Sequence, residues 1–170
     1  MAERPSWWKT AILCVVAIEL LGGLSGWLSG SGYGNAWFDG LTKPPFMPPG
    51  WTFGVVWPIL YALLGIALAM ILAEPPSERR KTALWLFFIQ LALNFAWSPL
   101  FFAAHTIGLA MTVIFAMAAI TAAAGWQFFR LRRVAGLLLI PYLAWLIFAA
   151  TLNAAILNLN PGAGRSLLGA

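Results

Sequence analysis

Apolar residues run through this chain in five blocks, at roughly 10–29, 51–73, 82–103, 106–129 and 134–158. Each is long enough for a helix across the hydrocarbon core of a bilayer, which takes about 20 apolar residues. The polar residues inside the blocks fall at helical spacing. In the third block Gln90, Asn94, Trp97, Ser98 and Phe101 share one face of an α-helix. An amide aimed at lipid has no hydrogen-bond partner, so this face must look into a helix bundle or a cavity. The fifth block repeats the arrangement with Tyr142, Trp145, Ala149, Asn153 and Ile156, and the second offers Trp57, Tyr61, Leu64 and Gly65. Pro141 and Pro58 each remove a backbone donor and predict a bend, and Ala149 leaves room beside Trp145. Three aromatic faces with a small or polar residue one turn away suit a flat apolar ligand with a few polar edges; they equally suit interhelical packing.

Between the first and second blocks, residues 37–61 hold five prolines, three tryptophans, a tyrosine and the single Lys43. Each proline ring fixes φ and biases the preceding residue toward extended backbone, so the second helix cannot start before the Pro48–Pro49 pair. The segment reads as a stiff cap at the membrane surface, where tryptophan and tyrosine favour the headgroup zone. At the other end, His105 and its neighbours are all that separates the third and fourth blocks, which predicts a tight antiparallel hairpin. Residues 161–170 read as a frayed tail.

With 62% of its 170 residues hydrophobic and 9% charged, the chain cannot be a soluble domain. The expected fold class is an all-α integral membrane protein: one domain over residues 1–170, a bundle of five transmembrane helices, with residues 30–50 forming a structured first loop. Arg4, Lys9, Arg79, Arg80, Lys81, Arg130, Arg132 and Arg133 fall on one side of such a bundle, and Lys43 and Arg165 on the other. The positive-inside rule then puts the N-terminus in the cytoplasm and the first loop and C-terminus outside, which favours a bacterial cytoplasmic membrane, an outer membrane being the other option. The net charge of +5 is a topology signal, matched by anionic lipid headgroups. Short juxtamembrane clusters do not predict a nucleic-acid partner.

Glu19 sits inside the first apolar block, where a cleaved signal peptide would avoid a charge. An intramembrane carboxylate is a functional candidate; its plainer role is a protonated or hydrogen-bonded group at a helix contact. Gly22, Gly26 and Gly30 form a stripe of small residues that serves either a neighbouring helix or a second copy of the chain. The lone Cys14 forms no internal disulfide, and one cysteine and one histidine on separate segments make no zinc site. Phosphate-binding loops, nucleophile elbows and paired carboxylates are missing, so no catalytic residue is predicted.

The run W-F-x-x-L-x-K-P-P-F-x-P-P-x-W-x-F at Trp37–Phe53, followed by V-W-x-x-L-Y at Val56–Tyr61, resembles the translocator protein family, also called tryptophan-rich sensory proteins (TspO/MBR). Two further motifs match in order: Q-x-x-x-N-x-x-W-S-P-x-F-F at Gln90–Phe102 and P-Y-L-x-W-x-x-x-A-x-x-L-N at Pro141–Asn153. The resemblance covers about residues 10–160. It implies a five-helix bundle, often a homodimer, with a pocket toward the first loop that binds porphyrins, haem and benzodiazepine-type ligands. By similarity Trp57, Asn94, Ser98, Trp145 and Ala149 line that pocket and the Trp37–Trp51 loop covers it. Two departures stand out. Phe38 replaces the family's usual tyrosine and removes a phenol that light-driven porphyrin degradation would use. No Lys or Arg follows Tyr142 within five residues, so the sterol motif of animal relatives is not supported.

Faces and resemblance together give one candidate ligand-binding set. It comprises Trp37, Phe38 and Trp51 in the loop, Trp57 and Tyr61 in the second helix, Gln90, Asn94, Trp97 and Ser98 in the third, and Tyr142, Trp145, Ala149 and Asn153 in the fifth. The expected activity is binding of a porphyrin or haem as ligand, with no obligatory cofactor and no metal site, by a sensor or carrier of porphyrin intermediates. In this reading the ring lies between the first, second, third and fifth helices, with Lys43 or other loop groups drawing the propionates. The alternatives are a light-dependent porphyrin-degrading enzyme and an ion-coupled transporter using Glu19.

Overall fold

The computed structural model describes residues 7–164. Seven α-helices follow one another: α1 (Trp7–Leu28), α2 (Ala36–Gly40), α3 (Gly50–Leu72), α4 (Glu78–Ser98), α5 (Ile107–Leu131), α6 (Arg133–Leu137) and α7 (Ile140–Leu159). A π-helical turn over Pro99–Ala103 extends α4, and α6 with α7 forms one span, so five helical segments are long and apolar enough to cross a membrane. The chain is a multi-pass membrane protein. Arg4 and Arg165, used above for orientation, and residues 165–170 of the tail lie outside the described residues.

Prolines set the boundaries. Pro49, extended at φ −62° and ψ 151°, is the residue before α3, which begins at Gly50 as soon as the last proline is passed. Pro99 has no N–H to give to the carbonyl four residues back, and that orphan, Phe95 O, accepts instead from Ser25 Oγ of α1 at 2.6 Å. From Pro99 the backbone widens into the π turn, closed by Ala104 N donating to Pro99 O at 2.9 Å. His105, in the left-handed region at φ 58°, then turns the chain into α5.

Two elements differ from expectation. Residues 30–50 are not loop throughout: Asn35 accepts from Phe38 N at 3.1 Å and nucleates the single turn α2. The fifth span is not one bent helix either. It breaks at Leu138–Leu139, ahead of Pro141, which sits in the first turn of α7 where a missing N–H costs nothing.

The helices are locked in two ways. Ser77 caps α4 through Arg80 N (3.2 Å), while the Arg80 guanidinium donates to Ile71 O and Leu72 O at the end of α3 (3.1 and 3.0 Å). Glycines permit the closest crossings. A Cβ on Gly65 would meet the backbone of Val15 at 2.6 Å, one on Gly136 the backbone of Phe129 at 2.6 Å, and one on Gly22 would overlap the Tyr61 ring. At Gly22 the small-residue stripe of α1 therefore serves contact within the chain. The main core joins α1, α3, α4, α5 and α7, and a second cluster of Phe38, Leu41, Phe101, Phe102, Ile107, Ala110 and Ile156 lies under the first loop.

Candidate functional site

A cavity of about 320 Å³ opens where the helices fail to meet. α1 contributes a nearly bare wall of Gly22, Gly23 and Gly26 with Glu19 at its lower end; α3 contributes Phe53, Trp57, Pro58 and Tyr61. α4 adds Asn94, Trp97 and Ser98, α7 adds Trp145, Ala149, Leu152 and Asn153, and Ile114 and Met117 of α5 close the floor. The fourth span thus takes part, although the sequence had pointed only to the other four.

The aromatic wall is built from edges against faces. Trp57 and Trp145 meet at 6.4 Å and 83°, Phe53 and Trp145 at 5.8 Å and 73°, and Trp57 lies 5.2 Å from Tyr61. Pro58 and Ala149 leave the space in front of these rings unfilled. Beneath them a buried chain of hydrogen bonds ties four helices, α3, α4, α7 and α5. Tyr61 donates to Asn94 Oδ1 (2.8 Å), Asn94 Nδ2 donates to the Tyr142 hydroxyl (2.9 Å), and Tyr142 donates to Met117 Sδ (3.3 Å). In a low-dielectric interior a satisfied chain of this kind fixes the orientation of each member.

The first loop is the roof, and it is clasped at several points. Phe38 is buried against Phe101 and Phe102 and faces the cavity together with Tyr33 and Met47. Asn160, at the end of α7, pairs with both backbone groups of Thr42, accepting from its N–H (2.8 Å) and donating to its carbonyl (2.9 Å). Lys43 gives its three protons to Phe38 O, Asp39 O and Leu41 O at 2.8–3.3 Å and stands 4.7 Å over the Phe38 ring. It caps α2 and takes no place on the cavity wall. At the mouth Ser31 donates to Ser98 Oγ (3.1 Å), joining α4 to the segment after α1.

Of the candidate set, Phe38, Trp57, Tyr61, Asn94, Trp97, Ser98, Trp145, Ala149 and Asn153 share this one cavity. Four others stand elsewhere. Trp37 stacks on His105 at 4.2 Å and donates to Ala163 O (3.3 Å), pinning the roof from behind. Trp51 is 70% exposed on the outer side of α3. Tyr142 lies behind Asn94, and Gln90, fully buried one turn below it, has no partner on either side-chain atom. Glu19, Phe53, Met47 and Met117 were not in the candidate set. Phe53 was findable, one helical turn before Trp57; Met117 carried no signal, since its span reads as uniformly small and apolar.

His105, the one imidazole of the chain, is on the Trp37 side of the roof and off the cavity wall. Among the described residues no three His, Cys, Asp or Glu side chains gather as metal ligands. What the cavity offers chemically is a flat apolar slot with edge-on indoles, a few hydrogen-bonding groups and one carboxylate.

Comparison with known proteins gives the lineage. Residues 11–159 match the TspO/MBR family. The chain is 40% identical over 155 residues to a translocator protein of Sus scrofa, covering 88% of this chain and 92% of that one. It is 40% identical over 126 residues to a tryptophan-rich sensory protein of Cereibacter sphaeroides, covering 74% and 78%. It is 38% identical over 152 residues to the tryptophan-rich protein TspO of Archaeoglobus fulgidus, covering 88% and 94%. An aromatic cavity under a proline-rich roof, held by residues of the very motifs that the match spans, accompanies that likeness along nearly the whole chain, and the protein belongs to the TspO/MBR family.

Proposed function

We propose that this protein binds a tetrapyrrole, a porphyrin or haem, in the cavity beneath the first loop and serves as a sensor or carrier of porphyrin intermediates. The observation that carries the reading is the aromatic slot: Trp57, Trp145 and Phe53 offer edges and faces to a flat ring, and Pro58 and Ala149 leave the space for it. Ligand sites run to about 300–1,000 Å³, so this cavity lies at the small end. A macrocycle would enter by one edge and leave the opposite, propionate-bearing edge at the mouth beside Ser31 and Ser98. His105, off the wall, would take no part in holding a haem there. Benzodiazepine-type compounds, smaller and aromatic, suit the same slot. Relatives named for translocation and for sensing are both compatible with a site that holds its ligand reversibly.

The end of the bundle bearing Lys9, Arg79, Lys81, Arg130 and Arg133 would face the cytoplasm of a bacterial cell and the roof the opposite side. The test is a titration of protoporphyrin IX into the reconstituted protein, read by tryptophan quenching. Trp145→Ala removes a wall of the slot and is expected to weaken binding by about five- to thirtyfold, at roughly 1–2 kcal/mol for a lost aromatic contact. Asn94→Ala, which frees Tyr61, is expected to weaken it by a smaller factor. Unchanged affinity in both variants would refute the site.

A further inference from the structure

The cavity is lopsided in charge. Among the described residues on its wall, Glu19 alone carries a formally charged side chain. No cation answers it there: the ion pairs among the described residues are Lys81 with Glu78 and Arg132 with Glu74, all at the opposite end of the bundle from the roof. Lys43, the cation of the roof, has its protons committed to three carbonyls, and His105 stacks on Trp37.

The hydrogen-bonding groups of the wall are mixed. The hydroxyl protons of Tyr61, Tyr142 and Ser31 are taken by Asn94, Met117 and Ser98. Asn153, 2% exposed, gives an amide proton to Ile107 O and is left with an unpartnered Oδ1; the indole N–H of Trp97 is the unpartnered donor among the buried side chains of the wall. The lining therefore presents the Glu19 carboxyl and the Asn153 amide oxygen as acceptors, and the Trp97 N–H and the Ser98 hydroxyl, which accepts from Ser31, as donors. In a site bounded by apolar helices, unlike open water, a charge without a counter-charge decides which end of an amphiphile enters.

We propose that Glu19 is the specificity-determining residue of this cavity, a charge filter that admits a neutral or cationic, N–H-bearing edge of a flat amphiphile and turns carboxylates out toward the mouth. The proposal rests on the tetrapyrrole reading above and adds the orientation and charge class of the ligand. Its geometry is favourable: Glu19 lines the cavity, and so does Gly23 one helical turn further along α1, where a Cβ would meet nothing within 4 Å. Two like charges about 12–16 Å apart at an effective dielectric near 20 repel enough to change affinity roughly five- to tenfold.

The experiment uses the full chain in nanodiscs and three probes read by tryptophan quenching: protoporphyrin IX, its uncharged dimethyl ester, and its bis-amide bearing two ammonium groups. The ratio of variant to wild-type affinity cancels each probe's own partition into lipid. Glu19→Gln is expected to raise affinity for the diacid by roughly three- to tenfold, to lower that for the diammonium probe by a similar factor, and to leave the ester within about twofold. Gly23→Lys, which sets an ammonium one turn from an intact Glu19, is expected to move the charged probes in the same directions, and Glu19→Asp to leave all three near wild type. Far-ultraviolet circular dichroism and the thermal unfolding midpoint report that each variant is folded. Equal ratios for the three probes in both Glu19→Gln and Gly23→Lys would overturn the charge filter and leave the tetrapyrrole site standing. Absence of saturable quenching by every probe with the wild type would overturn the tetrapyrrole reading and the filter with it.

Discussion

Gly22 is where the walls of the cavity are most tightly coupled, and its replacement by alanine should have opposite signs in two backgrounds. A methyl group at this position overlaps the Tyr61 ring, with Cζ at 2.6 Å and the hydroxyl oxygen at 2.8 Å, so either α1 moves away from α3 or the ring swings off Asn94. Overpacking a filled contact costs about 1–3 kcal/mol. Losing the Tyr61–Asn94 bond adds about 0.6–2 kcal/mol within a membrane protein. Against this, alanine is the better helix former by about 1 kcal/mol. Gly22→Ala in the wild type should therefore destabilise by roughly 0.6–4 kcal/mol. In a Tyr61→Ala background the methyl meets no ring, only the propensity gain remains, and the same substitution should stabilise by up to about 1 kcal/mol. Gly23→Ala is the control, because its Cβ has nothing within 4 Å. Unfolding in mixed micelles for the four members of the cycle gives the interaction energy directly. An identical effect of Gly22→Ala with and without the Tyr61 ring would refute the claim that this glycine exists to admit that side chain.

Two further outcomes follow from how the backbone is satisfied. Ser25→Ala leaves Phe95 O without a donor, since Pro99 cannot supply one, and should cost about 1 kcal/mol in the same unfolding assay; Pro99→Ala in that background should recover part of the loss by restoring the helical N–H. Lys43→Met removes the ammonium from the carbonyls that end α2, so amide exchange over residues 36–41 should quicken by roughly fivefold while porphyrin quenching is little altered; a large loss of binding would mean that Lys43 reaches the ligand.

Much of this architecture is local and could be read from the chain. The apolar blocks, the proline pair that delays α3 to Gly50 and the short joint at His105 depend on residues within a few positions of one another, and the described helices follow them closely. The turn α2 is not legible in the same way, because a single Asn35 cap inside a proline-rich stretch gives little periodicity. Pro141 predicts a bend at its own position, whereas the break falls before it, because a proline is tolerated in a first helical turn.

The candidate site divides along the same line. Helical period placed Asn94, Trp97 and Ser98 on one face and Trp145, Ala149 and Asn153 on another, and these side chains do wall a single cavity. The same period also put Gln90 and Tyr142 on those faces, yet both are buried below or behind the floor, while Trp51 points outward. Spacing gives an angle about a helix axis and says nothing of depth, or of which helix stands opposite. Those were decided by contacts distant in the chain: Gly22 against Tyr61, Gly65 against Val15, Ser25 under Phe95 and Asn160 on Thr42. By itself the amino-acid order determined a five-span membrane bundle with aromatic inner faces. Only the tertiary structure, by bringing small residues of α1 against bulky ones of α3 and leaving α7 apart, decided that those faces enclose a space with one carboxylate at its edge, because a cavity is a property of surfaces that do not touch.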